Sequence, residues 1–222
     1  MPAIPPGIRG AVITGWGTAL PPKVLTNKDL EGMFETSDEW IVDRTGIRER
    51  HVGGTTTDLS VEAGRKALEM SGVDPAEIDT LVLATTTPDR CVPASSPGIA
   101  NELGLRCGAF DVNAACSGFT YGLVAAHGLI AMGAKKILLI GTDSLARITD
   151  WTDRNTAILF ADGSGAAVLE VEPHRLEAFE QIVALQGEER GRFLLAKLRE
   201  LAYLRGVPLP LGTTPYVNTI PA

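Results

Sequence analysis

Three short, almost wholly apolar runs constrain this chain most: residues 80–86 (TLVLATT), 109–112 (AFDV) and 136–142 (KILLIGT). A strand that alternates polar and apolar residues can leave one face in water. Runs this uniformly apolar are covered on both faces and belong inside a sheet. Segments with helix signatures separate them. Residues 58–71 (DLSVEAGRKALEMS) form an amphipathic pattern that stops at Gly72, a helix-ending residue. The loop 88–97 leads into a helix ending near Gly104. Residues 117–132 (SGFTYGLVAAHGLIAM) are apolar nearly all round, and such a helix belongs inside a protein, covered on every side. Strands alternating with helices predict an α/β domain with a mixed, mostly parallel sheet.

The flanking segments are read from their local signals. Residues 10–18 (GAVITGWGT) are predicted to be a first buried strand. Asn27 is placed to cap a short helix through Phe34. Thr36-Ser37-Asp38-Glu39 fits a capping box opening a helix through about Arg44. Asp162-Gly163-Ser164-Gly165 is a turn signal between strands at 155–160 and 166–171, which predicts an antiparallel hairpin. No Lys-Ser/Thr pair follows those glycines, so they do not make a phosphate loop.

At 222 residues, 45% hydrophobic and 21% charged, the chain can bury one sizeable core. Its net charge of −7 argues against a nucleic-acid partner. No apolar run is long enough to cross a bilayer, and the Pro-rich start lacks a signal-peptide pattern. A cytoplasmic chain with no membrane partner is expected. Cys91, Cys107 and Cys116 are odd in number and lack metal-ligand spacing, so reduced thiols and no metal are expected. Cys91 and Cys107 read as packing residues.

Cys116 is different. Asn113-Ala114-Ala115-Cys116-Ser117-Gly118 puts it at the joint between the strand 109–112 and the apolar helix. There the unpaired N–H groups and positive end of the helix favour a thiolate. Small neighbours let a carbonyl approach both the sulfur and the backbone. Together these suggest acyl transfer through a thioester. A second cluster is Trp40 and Arg44, four apart on one helix face, where an indole and a guanidinium can grip a flat base or simply pair with each other.

Four stretches, TSDEWIVDRTGIRERH, TTTPDRCVP, DVNAACSGF and DWTDRNTAILFADGSGAAVL, resemble the 3-oxoacyl-[acyl-carrier-protein] synthase III family over residues 10–172. The resemblance implies the first of two pseudo-repeated halves of a thiolase-like fold. It also implies condensation of acyl-CoA with malonyl-acyl-carrier protein, releasing CO2, to start fatty-acid synthesis. Cys116 then matches the acyl-accepting nucleophile, with its own N–H as one oxyanion donor. Trp40 and Arg44 match the grip on the CoA adenine, Arg154 a second basic contact, and Thr45 an adjoining one. Val92 matches a loop that shapes the acyl pocket across a dimer interface. Acyl-CoA is implied as a substrate, with no resident cofactor, and acyl carrier protein as a partner.

The likeness stops short of the family's second half, which supplies a catalytic His, an Asn and the second oxyanion donor. His127, eleven residues beyond Cys116 on one helix, would lie roughly 16 Å away. His51 belongs to a structural stretch, and His174 lies beyond the domain. Condensation by this chain alone is therefore expected to be absent. Its uncovered apolar face is expected to drive homodimer formation or other association. Residues 173–222 are read as a helical tail unrelated to the synthase. EERGRFLLAKLRELAYLRGVPLP and TPYVNTIP resemble the N-terminal segment of the homodimeric pyruvate dehydrogenase decarboxylating subunit. Leu176, Phe179, Ile182 and Val183, and then Leu194, Leu198 and Leu201, recur at helical spacing. A chimeric junction near residues 171–174 is expected. Two further readings remain open: a non-catalytic CoA-binding or interaction module completed by another chain, and a chimeric pyruvate dehydrogenase fragment.

Overall fold

Two of the three apolar runs are the middle of one sheet. In the computed structural model, which describes residues 9–172, 183–184 and 186–205, they are β4 (Thr80–Ala84) and β6 (Lys136–Ser144), which pair in parallel. The third, β5 (Gly108–Val112), pairs in parallel with β4 but lies at the sheet edge, so it is only partly covered. β7 (Asp162–Val171) runs antiparallel to β6, and β1 (Ala11–Ala19) antiparallel to β7. The order is β1-β7-β6-β4-β5, a mixed sheet with a parallel centre. A two-stranded ribbon, β2 (Lys23–Thr26) with β3 (Glu49–Val52), stands apart from it.

The two faces of the sheet carry different helices. α3 (Thr56–Ser71) covers one face, packing against Leu81, Leu83, Leu138, Ile140 and Val168. Thr55 caps its start and Gly72, at φ 69°, ends it. α4 (Ser96–Glu102) joins the same core. On the other face α5 (Gly118–Ala131) packs against Val82, Ile137 and Leu139. The alternation of Leu138 and Ile140 with Ile137 and Leu139 along β6 sends successive side chains to opposite cores.

Several expectations are corrected. β1 is an edge strand with most of its outer residues exposed, Trp16 at 60% among them. Its Gly15 and Gly17 are the positions that α3 presses on. The short helix α1 (Asn27–Glu31) is capped by Thr26, in a capping box with Asp29, whereas Asn27 is buried and bonds to Asp38, Ile47 and Arg50. α2 (Asp38–Thr45) is capped by Ser37, whose hydroxyl accepts from the Trp40 N–H; the Thr36 hydroxyl is buried without a partner.

The expected hairpin does not form. Asp162-Gly163-Ser164-Gly165 lies inside β7, and residues 155–157 belong to a short helix, α6 (Arg154–Ala157). Within β7 the Ser164 hydroxyl joins a buried hydroxyl chain with Thr142 and Ser60. Asp162 accepts from Gly53 N–H and Ala146 N–H. Partners on other strands and loops keep these turn-forming residues extended. Finally, α5 is buried along Gly118, Gly122, Ala126 and Ile130 but exposes Tyr121 and Val124 at 61% and 66%. It is covered on one side.

The chain divides into two compact units, up to Glu172 and from Pro173 onward. The second unit contains α7 (Glu188–Leu204), a helix with ion pairs Arg192–Glu188 and Lys197–Glu200 along it. Leu198 and Leu201 are exposed on it, while Leu176, Phe179, Ile182 and His174 lie outside the described residues. Among the described residues no helix is long and apolar enough to cross a membrane.

Candidate active site

β4, β5 and β6 all end on the same rim of the sheet, where parallel strands conventionally present a site. Cys116 lies on that rim. Beyond β5 the chain takes a 3-10 turn over Ala115–Ser117 and enters α5 at Gly118. Ala115 has φ 46°, the left-handed region that a side chain disfavours. Strain of this kind persists where the surroundings enforce it, and here it immediately precedes an exposed cysteine. No side chain caps the 3-10 turn or α5, so protein hydroxyls do not take their leading N–H groups. The Ser117 and Gly118 N–H groups donate to the Ala114 and Ala115 carbonyls, so the Cys116 N–H is the donor at this turn that can serve an oxyanion.

The cleft in front of Cys116 has a volume of about 580 Å³ and is lined also by Ala84, Phe119, Thr142, Asp143 and Asp162. Small residues set its shape: a Cβ added at Gly118 would stand 3.3 Å from the Ala84 Cβ, and one at Gly141 2.9 Å from the Phe119 ring. Both Asp162 oxygens accept backbone N–H groups, and Asp143 gathers the threonines that follow β4. Neither His51 nor His127 lines this cleft. His51 Nδ1 is 2.6 Å from the Pro21 carbonyl, in the β2–β3 ribbon.

Trp40, Arg44 and Arg154 do come together. The Arg44 guanidinium stacks 4.2 Å from the centre of the Trp40 ring, and that of Arg154 4.1 Å from it. Arg154 is also tied through Nη1 to the Glu35 carbonyl at 3.0 Å. Helical spacing explains the first pairing; the second depends on α6 reaching α2 from far along the chain. Buried Arg50 fixes that approach by donating to the Ile158 carbonyl from β3 and to Asn27 Oδ1. Burial lowers the Arg50 pKa, and its acceptors are neutral oxygens. Thr45 is half-buried and its hydroxyl donates to the Ile41 carbonyl at 2.7 Å, so it serves the end of α2.

Val92 stands 88% exposed beside a cis Val92–Pro93 bond and does not line the Cys116 cleft. Cys91, expected to be a packing residue, is exposed on the same loop. Cys107 packs against the α3-side core, and burial raises its thiol pKa. Sequence reasoning missed Asp143, Asp162 and the strained Ala115. Only the strand–turn–helix pattern around Cys116 could have hinted at the last.

A family model described as 3-Oxoacyl-[acyl-carrier-protein (ACP)] synthase III matches residues 110–185, and one for the N-terminal domain of the pyruvate dehydrogenase E1 component matches residues 176–210. A β-ketoacyl-[acyl-carrier-protein] synthase III of Brucella melitensis is 47% identical over 214 residues, covering 94% of this chain and 65% of the relative. One from Roseiflexus is 49% identical over 184 residues, covering 81% and 56%. The crystal structure of the synthase III from Aquifex aeolicus superimposes with a TM-score of 0.73 at 42% identity, over 75% of this chain and 55% of that one. That from Pseudomonas aeruginosa gives 0.71 at 44%, over 74% and 52%. The chain thus spans 65% or less of the length of these relatives. A match over 94% of it cannot end at residue 172. The synthase likeness therefore runs into the segment read from sequence as unrelated to it.

Proposed function

Because the chain belongs to the 3-oxoacyl-[acyl-carrier-protein] synthase III family, we propose that Cys116 accepts an acyl group from acyl-CoA in the initiation of fatty-acid synthesis. The observation that carries this reading is an exposed cysteine between a strained Ala115 and an uncapped helix N-terminus, in a cleft of small residues. The Cys116 sulfur attacks the thioester carbonyl of acyl-CoA. A new sulfur–acyl bond forms, the bond to the CoA sulfur breaks, and CoA leaves as its thiol with the proton Cys116 gave up. The N–H of Cys116 itself is one donor to the negative charge that develops on the carbonyl oxygen.

The nucleotide end of CoA is assigned to Trp40, Arg44 and Arg154, which together bring one indole and two cations to a base and its phosphates. Thr45 borders that cluster, and Val92 is assigned to the acyl end through its loop. CoA enters as a substrate and no resident cofactor is required. In the full family reaction, malonyl-acyl-carrier protein loses CO2 and its carbanion attacks the Cys116 thioester. That step needs an imidazole or amide donor for the enolate, and among the described residues no histidine or asparagine lines this cleft. The 222 residues alone are therefore proposed to stop at the acyl-enzyme.

Intact-protein mass after mixing with acetyl-CoA tests this, beside Cys116→Ala and again with malonyl-acyl-carrier protein. An acetyl adduct on the parent, none on the variant, and no β-ketoacyl product is the expected pattern. No adduct on folded parent would overturn the acyl-transfer assignment. A second reading is favoured by the exposed outer side of α5: a module completed by another chain of this fold. Under it, the second half of a synthase III, co-expressed with this chain, would co-purify with it.

A further inference from the structure

We infer that Asp143 is a positioning residue for Cys116, acting through the threonines after β4 on the strand end that carries the nucleophile. The inference rests on the acyl-transfer reading of Cys116 for one of its two readouts. β4 and β6 are parallel neighbours with Ala84 opposite Gly141, so the chain leaving β4 rises past Asp143. There one carboxylate oxygen, Oδ1, accepts from the Thr86 N–H at 2.7 Å, the Thr86 hydroxyl at 2.8 Å, the Thr87 hydroxyl at 3.2 Å and the Thr85 hydroxyl at 3.3 Å. Bonds to a carboxylate oxygen are the strong kind, and this set ties the Thr86 backbone and the side chains of three successive threonines to one atom.

What those residues touch gives the set its meaning. The Thr85 N–H donates to the Val112 carbonyl at 3.1 Å, holding the last residue of β5 just before the nucleophile turn. Ala84 supports the other end of that turn, under Gly118. Entry to and exit from the Cys116 turn therefore both rest on residues 84–85, and Asp143 lines the same cleft. The far end of the threonine segment has its own ties: Arg147 donates to the Thr87 and Pro88 carbonyls, and the Ser144 N–H to the Thr87 hydroxyl. Losing Asp143 would thus loosen residues 85–86 and the turn above them while the fold stays in place.

The test compares Asp143→Ala and Asp143→Asn with the parent. It uses far-UV circular dichroism, the rate of Cys116 alkylation by iodoacetamide followed on the Cys116 peptide, and the rate of acetylation by acetyl-CoA. With the dichroism unchanged, Ala is expected to slow both reactions about tenfold or more, as misplaced reacting groups do. Asn keeps an acceptor oxygen for the Thr86 N–H and is expected within about threefold of the parent, the scale of one neutral hydrogen bond. Parent-like rates for Ala, or equal losses for Ala and Asn, would overturn the inference. An alkylation defect in Ala, with no acetylation of any variant, would sink the acyl-CoA reading and leave Asp143 standing. If Ala unfolds, Thr86→Val decides: it removes one hydroxyl donor and no charge, and an unchanged alkylation rate would refute the assignment.

Discussion

α3 and α5 lie on opposite faces of one sheet and are built on different rules. α3 buries Leu59, Val61, Ala63, Ala67 and Leu68 and turns Glu62, Arg65, Lys66 and Glu69 to water. It is a helix finished for solvent on its outer side. α5 holds no Asp, Glu, Lys or Arg; it meets the sheet through Gly118, Gly122, Ala126 and Ile130 and leaves Tyr121 and Val124 exposed. The same sheet therefore carries one closed layer and one layer with an unfinished side. Cys116 stands at the head of the unfinished one. An apolar outer side beside Cys116 is what a covering element would need, and it is where stability and reactivity can be separated by mutation.

The closed side should be the less forgiving. A Cβ at Gly17 would lie 2.3 Å from the Ala63 carbonyl and 2.7 Å from the Ala67 N, backbone atoms of α3 that cannot step aside. Gly17→Val is expected to cost about 3 kcal/mol or more, read from the denaturant midpoint. On the α5 side the equivalent contact is softer. A Cβ at Gly122 would lie 2.5 Å from Leu139 Cδ1, the end of a side chain. Gly122→Ala should cost about 1–2 kcal/mol, and Leu139→Ala in the same chain should recover part of that loss, a coupling measured by a double-mutant cycle. If Gly122→Ala proves as damaging as Gly17→Val, the two faces are equally tight and the contrast fails.

A pH-dependent effect of similar size separates the helix starts. Asp89 accepts from the Thr56 and Thr57 N–H groups at the head of α3 and pairs with Arg147. Burial pushes its carboxyl up, but the Thr57 hydroxyl and N–H, Arg147 and the Thr56 N–H outweigh it and hold the pKa below the ordinary value. A depressed carboxylate stabilises the fold above its unfolded pKa, about 3.9, and that contribution is lost as pH falls through the lower folded value. Asp89→Asn should therefore cost about 1–2 kcal/mol at pH 7 and progressively less below pH ~4. Urea midpoints for both chains at pH 7 and in acid would show it. A constant gap across that range would remove Asp89 as an acid-sensitive anchor of α3.

Much of this contrast was legible in the sequence, though unevenly. The stop of α3 at Gly72, the buried strands β4 and β6, the cysteine at a strand–helix joint and the absence of charge on α5 are all local patterns. Local patterns failed where distant partners decide. Asp162-Gly163-Ser164-Gly165 carries turn chemistry yet is extended, because β1 and β6 pair with it on both sides. The strand at 109–112 looked central but sits at an edge, since its pairing depends on the order of strands and not on its own residues. Arg154 at Trp40 and Asp143 at Thr85–Thr87 are likewise meetings of remote segments that no spacing rule encodes.

The smallest expected change in stability goes with a visible change in behaviour. Val124 is 66% exposed on the outer side of α5, and an exposed apolar residue contributes little to the fold. Val124→Glu should move the denaturant midpoint by less than about 0.5 kcal/mol, the range of surface substitutions. The same change puts a charge in the middle of the apolar outer side, so sedimentation velocity should show less self-association than the parent at equal concentration. Glu62→Leu, which makes α3 resemble α5, should shift the distribution the other way at a similarly small cost. If Val124→Glu unfolds the chain, the outer side of α5 is already part of the core. If association is unchanged, contacts elsewhere drive it, and the unfinished face is not where copies of this chain meet.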